Sequence, residues 1–348
     1  MSDTDKKIPV IAVVGATASG KTSLAAEICE RFNGEVVSAD SMQIYKGMSI
    51  ATAKPTADEM RGVRHHMIDF LPVTEKYCVA QYVSDASQVI FDVASRGKTP
   101  VVAGGTGLYV DSLLNGTVFE DEPDGTEIRE KLRRRRDAEG IEPLYRELEQ
   151  ADPDTARSLH MNNEGRVLRA LEVYYLTGEK PSERRVRSRQ TDSPFEPLYL
   201  SIEYKDREKL YDRINRRVDI MVENGLVDEA RNYFSLDNAC TASAAIGYKE
   251  LAPFFDGTVT LDEALNRLKQ ATRRYAKRQL TWYRNKEFVH RIYADCLPDG
   301  ITAADEAEKI ICASGMFGTK SINANDTALS QTASRYTGQN KYMPIQKQ

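Results

Sequence analysis

Gly15-Ala16-Thr17-Ala18-Ser19-Gly20-Lys21-Thr22 matches the pattern G-x-x-x-x-G-K-[ST] at every defined position. The seven residues before it, Ile8-Pro9-Val10-Ile11-Ala12-Val13-Val14, form an apolar, β-branched run suited to a strand buried on both faces. After it, Leu24, Ala25, Ile28 and Phe32 recur at helical spacing. Strand, glycine loop and helix together are the context in which this pattern binds phosphate. The glycines let backbone N–H groups close around phosphate oxygens, and a helix N-terminus adds partial positive charge. Lys21 offers a cation to the terminal phosphate and Thr22 a hydroxyl to Mg²⁺. Residues 15–22 are therefore expected to bind a ligand carrying a di- or triphosphate, with Mg²⁺ on Thr22.

The chain is 348 residues long, 41% apolar, with a net charge of −4. That length allows one large domain or a core with an inserted second domain. No run approaches the length of a membrane span, and the N-terminus MSDTDKK is polar with no cleavable signal pattern after it. The five cysteines (Cys29, Cys78, Cys240, Cys296, Cys312) are scattered, with no C-x-x-C pair, which argues against a disulfide framework or a structural zinc site. A cytoplasmic protein is expected. The slightly negative charge means that any nucleic-acid partner must be met by a local basic patch.

Up to about residue 115 the pattern is α/β. Strands are expected at Glu35–Ala39, His65–Phe70 and Pro100–Ala103, and helices at Val79–Arg96 and from Gly107 through Leu114. Alternation of this kind predicts a parallel sheet with its ligand at the carboxyl ends of the strands. The phosphate loop, Asp40 with Ser41, and the loop around Thr106 then converge. Asp40 can orient a nucleophile or take its proton; alternatively, it caps the turn that follows.

From Glu120 to Pro197 charged helical segments predominate, with Pro153 and Pro181 as breakers. The expected layout is a first core part over 1–118, a helical insertion over 119–197, core completion over 198–314, and a disordered tail over 315–348. The insertion holds 19 acidic and 15 basic residues, so Arg133 to Arg136 can be a solvated helix face. A strand is expected at Leu198–Tyr204, then helices at Asp206–Asn224 and Leu261–Tyr283. Between Arg267 and Arg291 stand nine Lys or Arg and one acid, Glu287, interleaved with Tyr275, Trp282 and Tyr283. Cations with aromatic faces suit single-stranded nucleic acid, and a basic helix packed along an acidic domain is the alternative.

The chain closely resembles the tRNA dimethylallyltransferase (isopentenyl-tRNA transferase) family. GATASGKT (Gly15–Thr22), SADSMQIYKGMSIATAKP (Ser38–Pro55), HHMIDF (His65–Phe70), GGTGLY (Gly104–Tyr109), RVLRALEVY (Arg166–Tyr174), AIGYKE (Ala245–Glu250) and RRYAKRQLTWYR (Arg273–Arg284) carry the resemblance in order. It implies a P-loop NTPase-like core and an enzyme that moves the dimethylallyl group of dimethylallyl diphosphate onto the exocyclic amine of the adenosine 3′ of a tRNA anticodon. By position, Asp40 becomes the general base, Thr106 places the amine, Lys21 stabilises the leaving diphosphate, and Ser41, Met42 and Gln43 contact the displaced base. Gly165, Arg166, Val167, Leu168 and Arg169, and Ala244, Ala245, Ile246, Gly247, Tyr248 and Lys249, match segments that touch tRNA. Arg213 and Arg217 are added as diphosphate or RNA contacts, and Arg273, Arg274 and Arg278 as tRNA contacts. Ser49-Ile50-Ala51 departs from the family's acidic residue, aliphatic and glycine, and Gly165 replaces a polar residue. No zinc finger follows, unlike the eukaryotic members, so a bacterial-type enzyme is expected; a monomer is expected as well. An adenylate isopentenyltransferase or small kinase acting on free nucleotides is the alternative, and a non-enzymatic nucleotide switch the third reading.

Overall fold

The computed structural model describes residues 7–120, 123–190, 192–236 and 245–317. In chain order the elements are β1 (Ile8–Gly15), α1 (Lys21–Phe32), β2 (Gly34–Ser38), α2 (Ala57–Met60), β3 (His65–His66), α3 (Val79–Ser95), β4 (Thr99–Ala103) and α4 (Gly107–Leu114). Then come α5 (Thr126–Glu139), α6 (Glu142–Ala151), α7 (Pro153–Ser158), α8 (Glu164–Thr177) and α9 (Pro181–Arg187). The chain continues with β5 (Phe195–Glu203), α10 (Arg207–Glu223), α11 (Leu226–Phe234), α12 (Tyr248–Phe255), α13 (Leu261–Tyr283), β6 (Val289–Tyr293) and α14 (Ala303–Ser314).

Because β1 is apolar at every position, it can be covered on both sides. Val10, Ala12 and Val14 pack with Tyr82, Tyr109 and Leu113 on one face. Ile11 and Val13 pack with Leu24, Ile28 and Ile311 on the other. All pairings in the sheet are parallel, in the order β3-β2-β4-β1-β5-β6. This is the expected α/β core, and it places the ends of β1, β2 and β4 along one edge.

Residues 115–193 form a second compact unit, distinct from the one built by the chain on either side. Its helices α5 to α9 enclose Leu132, Leu144, Leu148, Val167 and Leu171. Both boundaries fall four residues before those expected. The strand β5 begins at Phe195, which pairs with Ile8, so residues 195–197 belong to the sheet. Pro153 and Pro181 start helices rather than break them, since a first-turn residue needs no intrahelical N–H bond. The strand expected over His65–Phe70 shrinks to two residues, because Met67 and Asp69 adopt left-handed backbone (φ 59° and 56°) that a ladder cannot contain. The first residues of the expected tail, 315–317, are ordered instead. Gly315 caps α14 and Phe317 is buried in the core, while residues 318–348 lie outside the described residues. Among the described residues no helix is long and apolar enough to cross a membrane.

Candidate active site

The loop after β1 is shaped by close approach. A Cβ on Gly15 (φ 136°) would lie 2.5 Å from the Ile202 carbonyl oxygen on β5, so no larger residue fits. Gly20 (φ 102°) starts α1 without any side-chain cap, which leaves the first amides of that helix without intrahelical partners. Ser19 Oγ is buried and also has no partner. A phosphate oxygen would satisfy such donors. The Lys21 ammonium donates to the Ala16 carbonyl at 2.5 Å. Burial first, then the Arg217 cation, pulls its pKa down to about 7 against the pull of Asp40. Arg213 Nε donates to the Ala18 carbonyl at 2.9 Å, and Arg217 to the Ala53 carbonyl at 3.4 Å. Arg213 therefore borders the phosphate loop, and Arg217 lines the same cavity as Thr17 and Ala18.

Asp40 lies two residues beyond β2. Its Oδ1 accepts the amides of Met42 (2.9 Å) and Gln43 (3.4 Å), so it does cap the turn. Among the described residues Oδ2 has no hydrogen-bond partner. Burial raises the Asp40 pKa, opposed by those two amides and by Lys21 and Arg217. Thr106, three residues beyond β4 and just before α4, accepts the Ser41 amide at 3.1 Å and so joins the loops that follow β2 and β4. The Gln43 side chain donates to the carbonyls of Thr52 and Ala53, both at 3.1 Å, so its amide N–H groups hold the loop.

A cavity of about 290 Å³ opens here. Thr17, Ala18, Asp40, Ser41 and Arg217 line its polar end, and Val218, Met221, Leu226, Ile246 and Leu268 are among its apolar walls. One space thus joins charged and apolar ends, as a diphosphate ester of a short hydrocarbon requires. Gln279 supports it from below: its Oε1 accepts the Thr17 amide at 2.7 Å and its Nε2 donates to the Gly105 carbonyl at 2.9 Å. Gln279 has no charge or aromatic ring to advertise it. The available signal is its place in the inward stripe of α13, with Ala264, Leu268, Ala276 and Tyr283, where a buried polar group must have partners. No group of three or more His, Cys, Asp or Glu suited to a metal occurs among the described residues.

The expected RNA contacts sort into two sets. Val167 is buried in the insertion core with Leu168 packed against it, and Tyr248 is fully buried, stacked on Tyr233 at 4.6 Å. Expecting these side chains to meet RNA is corrected: Val167 and Tyr248 are core residues. Ala245, Ile246 and Gly247 line the cavity instead. Gly165, Arg166 and Lys249 are exposed, Arg169 pairs with Glu172 at 2.8 Å, and Ala244 lies outside the described residues. On α13, Arg273 is held by Asn215 at 2.6 Å, whereas Arg274 is exposed and Arg278 lies over the Tyr275 ring, 5.5 Å from its centroid, at the cavity. Arg134, Arg135 and Arg136 all pair with acids, as a solvated face does.

The IPP transferase family model matches residues 43–286. The tRNA dimethylallyltransferase of Caldanaerobacter subterraneus subsp. tengcongensis is 43% identical over 291 residues, 83% of this chain and 92% of that one. That of Bacillus subtilis is 43% identical over 281 residues, 80% and 89% of the two chains. Among solved structures, the full-length tRNA isopentenylpyrophosphate transferase of Bacillus halodurans is 38% identical with a TM-score of 0.65, over 95% of this chain and 100% of that one. A eukaryotic dimethylallyltransferase, described as acting on tRNA, is 31% identical with a TM-score of 0.74, over 94% and 84%. A phosphate loop facing a half-free carboxylate across a partly apolar cavity, matched by sequence and fold over most of its length, places this chain in the IPP transferase family.

Proposed function

We propose that this protein is a tRNA dimethylallyltransferase: it transfers the dimethylallyl group of dimethylallyl diphosphate to the exocyclic amine of the adenosine 3′ of a tRNA anticodon, releasing diphosphate. The observation that carries this reading is the meeting of Asp40 and the phosphate loop in one cavity with an apolar wall. The amine nitrogen forms a bond to the allylic carbon as that carbon's bond to oxygen breaks. The bonding pair leaves with the diphosphate, and the amine proton passes to Asp40 Oδ2. Lys21, Arg213, Arg217 and the loop amides neutralise the departing charge, each such donor contributing about 10²–10³ in rate. Thr106 holds Ser41, beside which the amine would sit.

The Thr22 hydroxyl, partly exposed in the first turn of α1, suits a Mg²⁺ ion that would be shared with substrate phosphates. Held there, the ion would withdraw charge from the leaving group. The target base must leave its stack, at a cost of roughly a few kcal/mol. Exposed Arg274 and Arg278 on α13 supply binding energy to offset it. The relatives' names favour tRNA over a free nucleotide as acceptor. Incubation with labelled dimethylallyl diphosphate and either unmodified tRNA or AMP tests the reading. Label in tRNA is expected; label in AMP alone would overturn it.

A further inference from the structure

Glu229, on α11, is distant in sequence from every motif of the site, yet its carboxylate gathers four donors. Oε2 accepts the amides of Ser49 and Ile50, both at 2.8 Å. Oε1 accepts the Ala51 amide at 2.9 Å and the Tyr248 hydroxyl at 2.9 Å. Three successive backbone N–H groups turned toward one carboxylate form an anion-binding concavity, here filled by the protein's own side chain. The same loop then turns back on itself, with Ala53 N–H bonded to the Ile50 carbonyl and Lys54 N–H to the Ser49 carbonyl. Its next carbonyls do the work at the site: Thr52 and Ala53 accept the Gln43 side-chain amide, and Ala53 also accepts Arg217. Gln43 in turn gives its backbone amide to Asp40 Oδ1. Ala51, Thr52 and Ala53 are themselves cavity wall.

We propose that Glu229 is a positioning residue for the transfer reaction, holding the 49–53 loop so that Gln43, Arg217 and Asp40 keep their reactive arrangement. This rests on the function proposed above. Glu229→Gln is a sharp probe because both oxygens face donors. Wherever the new NH₂ group points, it meets at least one backbone N–H.

Two readouts on each variant separate positioning from bulk stability. Hydrogen exchange should quicken in peptides covering 44–54 while peptides of β1 and β4 stay protected. The single-turnover transfer rate at saturating substrates should fall about 10- to 100-fold, as misplacement by about an ångström costs, with tRNA affinity changed less than about twofold. Tyr248→Phe spares the three backbone bonds and should leave the rate within about threefold. Should Glu229→Gln fail to fold, Glu229→Asp, which keeps the charge but withdraws it by one methylene, is read the same way. An unchanged single-turnover rate, or exchange that quickens across the whole sheet with the rate falling only in step with the folded fraction, would overturn the proposal. Wild-type protein is assayed alongside: if it transfers nothing to tRNA, the functional reading fails, and the exchange measurement still decides whether Glu229 holds the loop.

Discussion

The amides of Met42 and Gln43 occupy Asp40 Oδ1, so Oδ2 is the oxygen left for the base role proposed above. Capping and base catalysis are alternatives in the sequence; the structure shows the cap on Oδ1, and the proposed base would use the other oxygen. A base must be ionised, and burial holds the Asp40 pKa above the usual carboxylate value of about 3.9. The transfer rate should therefore rise with pH through a limb displaced above that value; a limb at or below it would contradict the assignment. Lys21 titrates in the opposite sense. Its ammonium form binds the anion, and its free-enzyme pKa is about 7. Measured against Lys21→Met, the share of inorganic diphosphate affinity that Lys21 supplies should be full below pH 7 and decline above it, with a proton taken up by the lysine on binding. Calorimetry at pH 8 in two buffers of different ionisation enthalpy measures that uptake, and its absence would count against Lys21. Lys21 and Asp40 were legible because motif and strand end announce them. Gln279 and Glu229 were not, because their partners lie far away along the chain.

The helix α13 shows how much an element's pattern reveals. Its limits, Leu261 to Tyr283, follow from the apolar spacing, and its basic character from composition. Which cations are available does not. Lys269 pairs with Asp219, Arg273 with Asn215 and Lys286 with Asp111, so these are spent inside the protein. Arg267, Arg274, Lys277 and Arg284 are exposed and, among the described residues, have no ion-pair partner. Replacing Arg274 and Lys277 by Glu should weaken tRNA binding and flatten its salt dependence, each lost phosphate contact removing about 0.7 from the logarithmic slope. An unchanged slope in salt titrations would make this a solvated face. On the inward side, Gln279→Leu removes the two bonds that this side chain makes to Thr17 and Gly105. The Michaelis constant for dimethylallyl diphosphate should rise roughly tenfold with the fold intact, the loss expected for one or two buried hydrogen bonds. The short β3 was less legible, since left-handed backbone at Met67 and Asp69 is imposed by tertiary contacts and not by glycine.

Across the molecule, the sheet keeps chemistry at one end and an ionic fastening at the other. Glu35, at the start of β2, is buried and receives Arg96 through two bonds (2.7 and 2.6 Å), Lys98 at 2.7 Å and His66 at 2.7 Å. The Arg96 bonds, with help from Lys98 and His66, hold its carboxyl well below the usual range. Its stabilising contribution is full above the unfolded-chain value near pH 4.3 and is lost as pH falls toward the folded value. Glu35→Gln should cost about 2 kcal/mol at pH 7, less than a fully enclosed pair because Arg96 and Lys98 are one-third exposed. Urea unfolding at pH 7 and at pH 3 should show the gap between wild type and variant closing in acid. At the other end, the proposed transfer has Lys21, within reach of the Asp40 charge, act on the leaving group while Asp40 on the cavity wall acts on the amine. Single-turnover transfer from dimethylallyl diphosphate to unmodified tRNA by Asp40→Asn tests it most directly, because asparagine keeps the turn cap and removes only the base. The chemical step should slow by about 10²–10⁴ while both substrates bind with near wild-type affinity. A near wild-type rate in that variant would contradict the account.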